Sequence, residues 1–352
     1  MDVYALNPQF EIVDVIDIYE SFIWTDRYNK PGDFELYTTL NDVNKNNELI
    51  GNYFQIKESE HTMIVEDVEI TTDVEAGAHI KVTGRSLESI LDRRIVWEQT
   101  NISGSLQNGI KKLITDAIIN PSIADRKISN FVFKDSTDTA ITSLTVDAQY
   151  TGDNLLTIIQ DLCSTFNIGF KIVLNKNNKF VFSLYAGTDR SYRQDPNPYV
   201  VFRPSFENLV NSNFTEKHSE EKNITLVAGE GQNQERITRT VGSGSGLARK
   251  ELYTDARDIQ KEEGMTDETY NAKLDQRGTE KLNESKAIKT FDGECETTKM
   301  FVYQKDFFMG DCVQVANEYG KEAPTRVMEY IWCSDINGIT SYPTFESLEY
   351  ES

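Results

Sequence analysis

The side chains best suited to catalysis in this sequence are three histidines, His61, His79 and His218. A helical zinc site would place two histidines one turn apart, as in HExxH, and no such spacing occurs. A serine or cysteine nucleophile beside a histidine is not excluded by sequence order alone. No GxSxG motif is present, however, and Cys163 falls on the apolar stripe of a predicted helix. We therefore expect His61 and His79 to be plain surface or satisfied side chains in or beside strands.

Acidic pairs are a second source of chemistry, because two carboxylates at a suitable separation perform glycoside hydrolysis. Candidate pairs along the chain are Asp14 with Asp17, Glu220 with Glu221, and Glu262 with Glu263. With 57 acidic residues in the chain, such pairs arise by chance, and solvated acidic faces account for them. No D-x-[DN]-x-[DN]-G calcium loop is present. The sequence thus predicts no catalytic residue, no metal ligand and no cofactor.

Two glycine-rich segments, residues 229–231 and 242–246, have the composition of phosphate-binding loops but not their pattern. GxxxxGK[ST] is absent, and an acid beside the first glycine of 229–231 would repel a phosphate. Both segments are predicted to be loops that need positive φ. Small basic clusters at 93–94 and 249–250 lie among acids, which favours salt bridges or subunit contacts.

Composition narrows the class of function further. The 352 residues include 57 acidic and 36 basic side chains, which gives a net charge of −21. This charge argues against a protein that grips nucleic acid or an anionic membrane across its surface, since phosphates need clustered cations. A content of 38% hydrophobic and 11% aromatic residues excludes a disordered acidic tail. The length corresponds to two or three domains of about 100–200 residues each.

The cysteines and the absence of targeting signals indicate synthesis in a cytoplasm. The four cysteines are far apart and form no CxxC motif, which predicts reduced, buried thiols rather than a disulfide scaffold or a zinc ribbon. Residues 1–10 lack the basic and apolar regions of a secretory signal. No run of about 18 apolar residues occurs, so we expect no stable membrane insertion.

Strand patterns dominate both ends of the chain. Short alternating runs, such as residues 34–37 and 63–70, are separated by turns as far as Gly84, which is typical of a barrel or sandwich. Strands are predicted again at 199–202 and 224–228 and then after residue 302, where Asn337-Gly338 marks a tight hairpin turn.

Aromatic residues are expected in the cores of these strands. A late strand is predicted to place Met328, Tyr330 and Trp332 on one face. Together with Trp332, Trp24 and Trp97 fall on predicted strands or strand–helix junctions. These positions favour core packing over a ligand groove.

Helical spacing appears between the strand-rich ends. The predicted helices span residues 87–94, 105–119, 153–166 and 266–285. Ser86 is expected to cap the first helix, with Glu88 in its first turn, and Thr266 is expected to cap the last. The last helix has only a thin apolar stripe and is predicted to lie on the surface. A hairpin over 169–185 follows the third helix.

Five segments carry a more specific pattern. They are GRSLESILDRRIV at 84–96, AGEG at 228–231 after Lys222-Asn223, RKELYTDARD at 249–258 with QRGTEKL at 276–282, GDCVQVANEYG at 310–320, and PTF at 343–345. In this order, they resemble the baseplate-hub or tail-tip proteins of long-tailed phages and related prophages. The resemblance extends from about residue 25 to 345. No catalytic residue carries over, and we expect no room for a lytic domain after the last motif.

The resemblance implies a mainly β fold with an α+β insert. Two tail-tube-like β-barrels would be joined by a central helix–hairpin insertion, and a charged helical segment would be added. The implied domains are the first barrel at 1–97, the insertion at 98–195 and the second barrel at 196–352, with a helical insertion at about 247–289. Three such chains would form a pseudo-sixfold ring that joins a sixfold tail tube to a threefold tip or spike.

The function implied is that of a structural virion protein, not an enzyme. It would form a trimeric baseplate hub at the tail tip and give DNA a passage during host cell entry. The expected partners are further copies of the chain, a distal tail or tail-tube protein, a tip, spike or fibre protein, and the tape-measure protein. Part of the charge of −21 on each copy would line the lumen, so that DNA passes without specific binding. The alternatives are a tail-associated cell-wall hydrolase and a glycan- or receptor-binding tip module.

Overall fold

The computed structural model describes residues 1–40, 49–74, 77–295, 297, 300–319 and 322–348. Its strands are β1 (Val3–Leu6), β2 (Ile12–Ile16), β3 (Ser21–Arg27), β4 (Asp33–Thr39), β5 (Tyr53–Gln55), β6 (Met63–Asp73), β7 (Gly77–Ser86), β8 (Thr100–Ser105), β9 (Phe131–Lys134), β10 (Thr145–Tyr150), β11 (Gly169–Leu174), β12 (Phe180–Tyr185), β13 (Val201–Phe202), β14 (Leu209–Lys217), β15 (Ile224–Ala228), β16 (Thr238–Gly242), β17 (Glu251–Asp255), β18 (Ile288–Cys295), β19 (Cys312–Ala316), β20 (Glu322–Asp335) and β21 (Gly338–Ser347). Its α-helices are α1 (Leu106–Ile114), α2 (Thr139–Thr142), α3 (Leu155–Thr165) and α4 (Asp267–Glu284). The 3-10 helices are Leu87–Arg93, Ala124–Arg126, Pro204–Phe206, Asn233–Glu235 and Gly246–Ala248, and a π-helical turn covers Thr115–Ile119.

Thirteen strands form one sheet that joins the two ends of the chain. Its order is β14-β18-β21-β20-β3-β4-β7-β6-β5-β1-β2, with β19 paired to β20 and β13 paired to β19. The two halves meet where β3 and β20 pair antiparallel. Among the described strands this path has two ends, β14 and β2, so no closed barrel is seen.

The length of β20 explains why the two halves share a sheet. Its first part pairs with β19, from Glu322 to Arg326, and its second part pairs with β3, from Glu329 to Asp335. Its other side pairs with β21 through the predicted hairpin turn before Gly338. In the described residues, a shared sheet therefore joins the two halves, and the two predicted tail-tube-like β-barrels are not confirmed.

The sheet buries an aromatic core to which both halves contribute. Trp24 on β3, Trp332 on β20 and Phe345 on β21 belong to the same buried cluster. The core positions predicted for these two tryptophans are confirmed. The prediction for Trp97 is wrong, because this side chain is 58% exposed.

A bulge in β20 changes the face that was predicted for this strand. The pairing register with β21 shifts between Val327 and Glu329. An extra residue in a strand reverses the alternation of side chains. Residues of the same odd or even number therefore lie on different faces before and after the bulge. Val327, Tyr330 and Trp332 are buried together, whereas Met328 is only partly buried. Placing Met328 on the core face was therefore wrong.

A second core is built mainly from residues 87–184. The helix predicted over 105–119 is α1 continued by the π-helical turn, and the helix predicted over 153–166 is α3. Side-chain oxygens of Ser105 and Asn154 accept hydrogen bonds from the first turns of these helices. The predicted hairpin is confirmed as β11 and β12, which are paired throughout.

The first predicted helix has the right position but the wrong type. Leu87–Arg93 is a 3-10 helix, and Ser86 makes no side-chain cap bond to it. Instead, the Ser86 hydroxyl accepts a hydrogen bond from the backbone N–H of Gly32 at 2.8 Å. Glu88 lies in the first turn, as predicted, and its side chain is buried.

A third, smaller core lies between β15, β16, β17 and α4. The helix predicted over 266–285 is confirmed as α4, and the Thr266 hydroxyl caps it. Tyr270 and Leu274 are buried against the small sheet. A second, polar strip of α4 contacts β10, so the helix is packed more widely than its thin apolar stripe predicts. None of the helices in the described ranges combines the length and the apolar composition that a bilayer span requires.

The Gly310-Asp311 motif is explained by its place between the first two cores. Gly310 has a φ of +85°, and a Cβ there would lie 2.1 Å from a ring carbon of Tyr28. Only glycine satisfies both conditions. The buried Asp311 carboxylate accepts hydrogen bonds from Arg190 Nε at 2.8 Å and from the Thr188 backbone N–H at 2.7 Å. The motif thus fixes the start of β19.

Candidate functional site

His79 has the satisfied structural role that the sequence predicts, and His218 is paired as well. His79 Nε2 lies 2.9 Å from Glu20 Oε1. His218 Nε2 and Nδ1 lie 2.9 Å and 2.8 Å from Glu216 and Glu221. Both imidazoles are thus held by carboxylates.

His61 belongs to a buried cluster of charges that the sequence did not predict. Its Nδ1 is 3.3 Å from Glu88 Oε1, and both side chains are buried. Glu88 Oε1 also accepts a hydrogen bond from the Ile172 backbone N–H at 2.7 Å. Nearby, the two Asp26 oxygens accept from the Ser59 hydroxyl at 2.9 Å and 2.7 Å. The cluster therefore connects β3, the first 3-10 helix and β11.

The ionisation of this cluster depends on whether opposite charges outweigh the effect of burial. Burial disfavours the charged imidazole, but the carboxylates of Asp26 and Glu88 outweigh it and raise the pKa of His61 to about 9. Burial also opposes ionisation of Glu88, yet the His61 charge lowers the pKa of this carboxyl overall. Burial raises the pKa of Asp26. At neutral pH the cluster therefore contains a structural ion pair, whereas a general base would need a pKa near the working pH.

The other residues singled out in the sequence are structural as well. Cys163 is fully buried, and burial raises the pKa of its thiol, so the nucleophilic thiolate is disfavoured. The paired acids have other partners: the Val15 N–H for Asp14, Lys250 for Glu221 and Gln99 for Glu262. Within the described ranges, no group of three His, Cys, Asp or Glu side chains is arranged to hold a metal ion.

A second buried polar cluster fastens α4 to β10. Arg277 is 3.0 Å from Asp258 and donates a hydrogen bond to the Gln149 carbonyl at 3.2 Å. The Tyr150 hydroxyl donates to Glu280 Oε1 at 2.9 Å, and burial raises the pKa of Glu280. In the sequence these charges have the pattern of a solvated helix face, which is why the contact was missed.

One open edge of the large sheet carries exposed apolar side chains. Among the described strands, β2 pairs with β1 alone, so its other side presents unpaired backbone groups. Ile12, Val13, Val15 and Ile18 are between 44% and 64% exposed. We call these four residues the edge surface. An apolar edge strand of this kind is a template for pairing with another chain.

The opposite end of the sheet is also open. Within the described residues, β14 pairs with β18 alone. The two open edges, β2 and β14, are different strands at opposite ends of the same sheet. Pairing between different edges of two copies is head-to-tail, and such contacts close into rings when the rotation between copies permits.

Two hairpin tips add exposed apolar residues. Ile70 and Val74 lie in the outer part of the β6–β7 hairpin and are 56% and 103% exposed. Ile336 and Ile339 lie at the tip of the β20–β21 hairpin and are 89% and 57% exposed. The described surface thus offers contact positions beyond the two edges, and the arrangement suits assembly better than catalysis.

Family comparison agrees with this structural role. Residues 1–345 match the model of the Siphovirus ReqiPepy6 Gp37-like protein family. The chain belongs to this family of phage tail proteins. This membership confirms the resemblance that the sequence motifs carry, and the family member described here is a virion tail component. No curated protein sequence matches this tail protein.

Three solved structures show that the fold is shared with other tail proteins. The tail protein from Neisseria meningitidis MC58 has a TM-score of 0.59 at 11% identity, covering 98% of this chain and 96% of that one. The prophage MuSo2 43 kDa tail protein from Shewanella oneidensis has a TM-score of 0.58 at 11% identity, covering 99% and 98%. The prophage tail protein gp18 from Listeria monocytogenes EGD-e has a TM-score of 0.55 at 12% identity, covering 100% and 96%.

Proposed function

We propose that this tail protein is a homotrimeric hub at the tail tip, where it adapts a sixfold tail tube to a threefold tip and gives DNA a passage. The observation that carries the proposal is the single sheet with two different open edges, one of them apolar. Family membership supplies the context of the tail.

The edges define how copies would contact each other. The edge surface on β2 of one copy would pair with β14 of the next, which satisfies backbone groups on both strands and removes apolar side chains from water. Each copy contributes two sheet halves, β1–β7 and β18–β21 with β14. Three copies would therefore present six sheet halves around the ring. Each half would correspond to one of the six subunits of the tail tube.

Charge would make the ring a passive conduit. Each copy has a net charge of −21, so a lumen lined by part of it would repel phosphates and let DNA slide. An image of the assembled ring with a neutral or basic bore would overturn this part of the proposal.

The proposal includes partners but no enzymatic step. A distal tail or tail-tube protein would contact one face of the ring, and a tip, spike or fibre protein would contact the other, with the tape-measure protein ending at the ring. Synthesis would take place in the host cytoplasm, before tail assembly. The cell-wall hydrolase considered above would need paired carboxylates in a cleft, and a zymogram on bacterial cell walls distinguishes it.

The test of the hub is oligomeric state combined with an edge variant. We expect the purified full chain to sediment as a trimer and to form rings in negative-stain electron microscopy. Val15→Lys on β2 places a charge on the edge surface and should convert trimer to monomer, because an edge lysine opposes strand pairing. The matched control is Ile23→Lys, an exposed residue on β3 that is paired with β20 on one side and with β4 on the other. A wild-type monomer, or a trimer that survives Val15→Lys, would contradict the proposal.

A further inference from the structure

A groove around Trp97 lies apart from both open sheet edges. Trp97 is 58% exposed and follows the first 3-10 helix. The groove has a volume of about 340 Å³, which is within the range of about 300–1,000 Å³ for small-ligand sites. Its walls come from residues 96–100, the end of α1 with its π-helical turn, and the loop that leads to Arg126.

Hydrogen-bonding groups surround the indole. The Asp116 carboxylate has no hydrogen-bond partner within the described residues, and partial burial raises its pKa. Asn120 lies one turn further on, where its backbone N–H bonds to the Thr115 carbonyl at 2.8 Å and closes the π-helical turn. Turns of this type are frequent at functional sites. Glu98 accepts from a neighbouring serine hydroxyl and keeps its second oxygen for a ligand.

The two cations of the groove, Lys112 and Arg126, already bind backbone carbonyls. Lys112 Nζ donates to the Asn101 carbonyl at 2.9 Å. Arg126 donates to the Ile95 carbonyl at 2.6 Å and lies 5.5 Å from the centre of the Trp97 ring. These two cations balance the two acids of the groove. The groove therefore suits an uncharged ligand with many hydroxyl groups better than it suits a phosphate.

We propose that this groove binds a neutral pyranose ring, such as a hexose unit of a polysaccharide. The apolar C–H face of the sugar stacks on the free part of the indole, because an aromatic ring offers a large flat apolar surface. Its hydroxyls donate to the Asp116 and Glu98 carboxylates and exchange hydrogen bonds with the Asn120 carboxamide. The proposal is independent of the hub function, since every residue that it uses lies in one chain and outside the edge surface.

Intrinsic tryptophan fluorescence of the full chain tests the site. Trp24 and Trp332 are buried, so a change in emission on titration reports Trp97. The probes are the methyl pyranosides of glucose, galactose, mannose, rhamnose and N-acetylglucosamine. We expect at least one of them to shift the emission to the blue, with saturation at a Kd on the order of 1 mM. Isothermal titration calorimetry on the same sugar gives the affinity without relying on the fluorophore.

Variants separate the site from general effects on folding. Trp97→Ala should weaken binding at least about tenfold in calorimetry, and Trp97→Phe should retain part of it. Asp116→Asn should weaken binding while preserving the shape of the groove. Phe206→Ala is the matched control, because Phe206 is another exposed aromatic beneath an arginine, Arg203 at 5.2 Å. Failure of all five sugars to bind, equal binding by Trp97→Ala, or equal loss in Phe206→Ala would overturn the proposal.

Discussion

At the scale of residues, the buried ion pair of His61 and Glu88 makes stability depend on pH. The folded protein raises the pKa of His61 to about 9, compared with an ordinary value of 6.5. The ion pair therefore makes its full contribution to the free energy of unfolding below pH 6.5. This contribution is lost as the pH rises through about 9, where the folded His61 loses its proton. We expect a loss on the order of 3 kcal/mol across this interval. Urea unfolding at fixed protein concentration, followed by near-ultraviolet circular dichroism, measures it.

The variant His61→Gln should remove this pH dependence. It should also destabilise the fold by about 3–5 kcal/mol, because Glu88 is left buried without its cation. His218→Gln is the control, since His218 forms exposed ion pairs and should leave most of the pH dependence in place. An unchanged slope in His61→Gln would show that other groups cause it.

The sequence predicts ordinary residues better than exceptional ones. It correctly predicted satisfied side chains for His61 and His79 and a buried thiol at Cys163. It missed the partnership of His61, because Asp26 and Glu88 come from elements that meet only in the folded chain. It also misplaced Trp97, since a residue at a strand–helix junction has no periodic pattern that tells its buried side from its exposed side.

At the scale of elements, α4 is confined on two sides. Gly278 faces the small sheet, and a Cβ at this position would lie 2.7 Å from side-chain carbons of Val227 and Val241. Alanine is a better helix former than glycine by about 1 kcal/mol, but overpacking costs about 1–3 kcal/mol. We therefore expect Gly278→Ala to lower the thermal midpoint, as measured by differential scanning calorimetry.

The control for this prediction is a substitution elsewhere on the same helix. Asn271 is partly exposed, so Asn271→Ala gains helix propensity without a clash and should leave the midpoint unchanged or raise it. If both variants raise the midpoint, the packing of α4 against β15 and β16 is looser than the structure indicates.

The helices and hairpins were predictable because their signals are local. The Thr266 cap and the spacing of apolar residues lie within one segment of chain. The bulge in β20 and the partners of α4 depend on residues far away in sequence. For the same reason, the edge surface on β2 had an ordinary strand pattern, and only the strand order shows that it is open.

At the scale of the whole molecule, net charge should control assembly. Copies with a charge of −21 repel each other, while the apolar edge surface attracts. Raising the salt from about 0.01 M to 0.15 M shortens the screening length from about 30 Å to 8 Å. If the proposed trimer forms, this change should lower its dissociation constant by about tenfold or more, as measured by analytical ultracentrifugation.

A neutral solute at matched osmolality is the control for this experiment and should leave the dissociation constant unchanged. Dissociation of the trimer on addition of salt would mean that ion pairs between copies, and not apolar edges, hold it together.

The overall architecture was predicted in its class but not in its connections. Strand-rich ends and a helical centre follow from periodicity, and the motifs point to tail proteins. The joining of the two ends into one sheet does not follow, because strand pairing between distant segments leaves no mark in local patterns.

The pairing of β3 with β20 has a consequence for biosynthesis. Arg27 on β3 bonds to Glu329 on β20, a partner 302 positions later in the chain. During translation, β3 is therefore complete long before β20 leaves the ribosome. The second core is built mainly from residues 87–184, so it can fold before β20 is made. A chain released too early would lack β20 and leave β3 uncovered. Such nascent fragments are expected substrates for chaperones and proteases, so that only fully translated copies reach the growing particle.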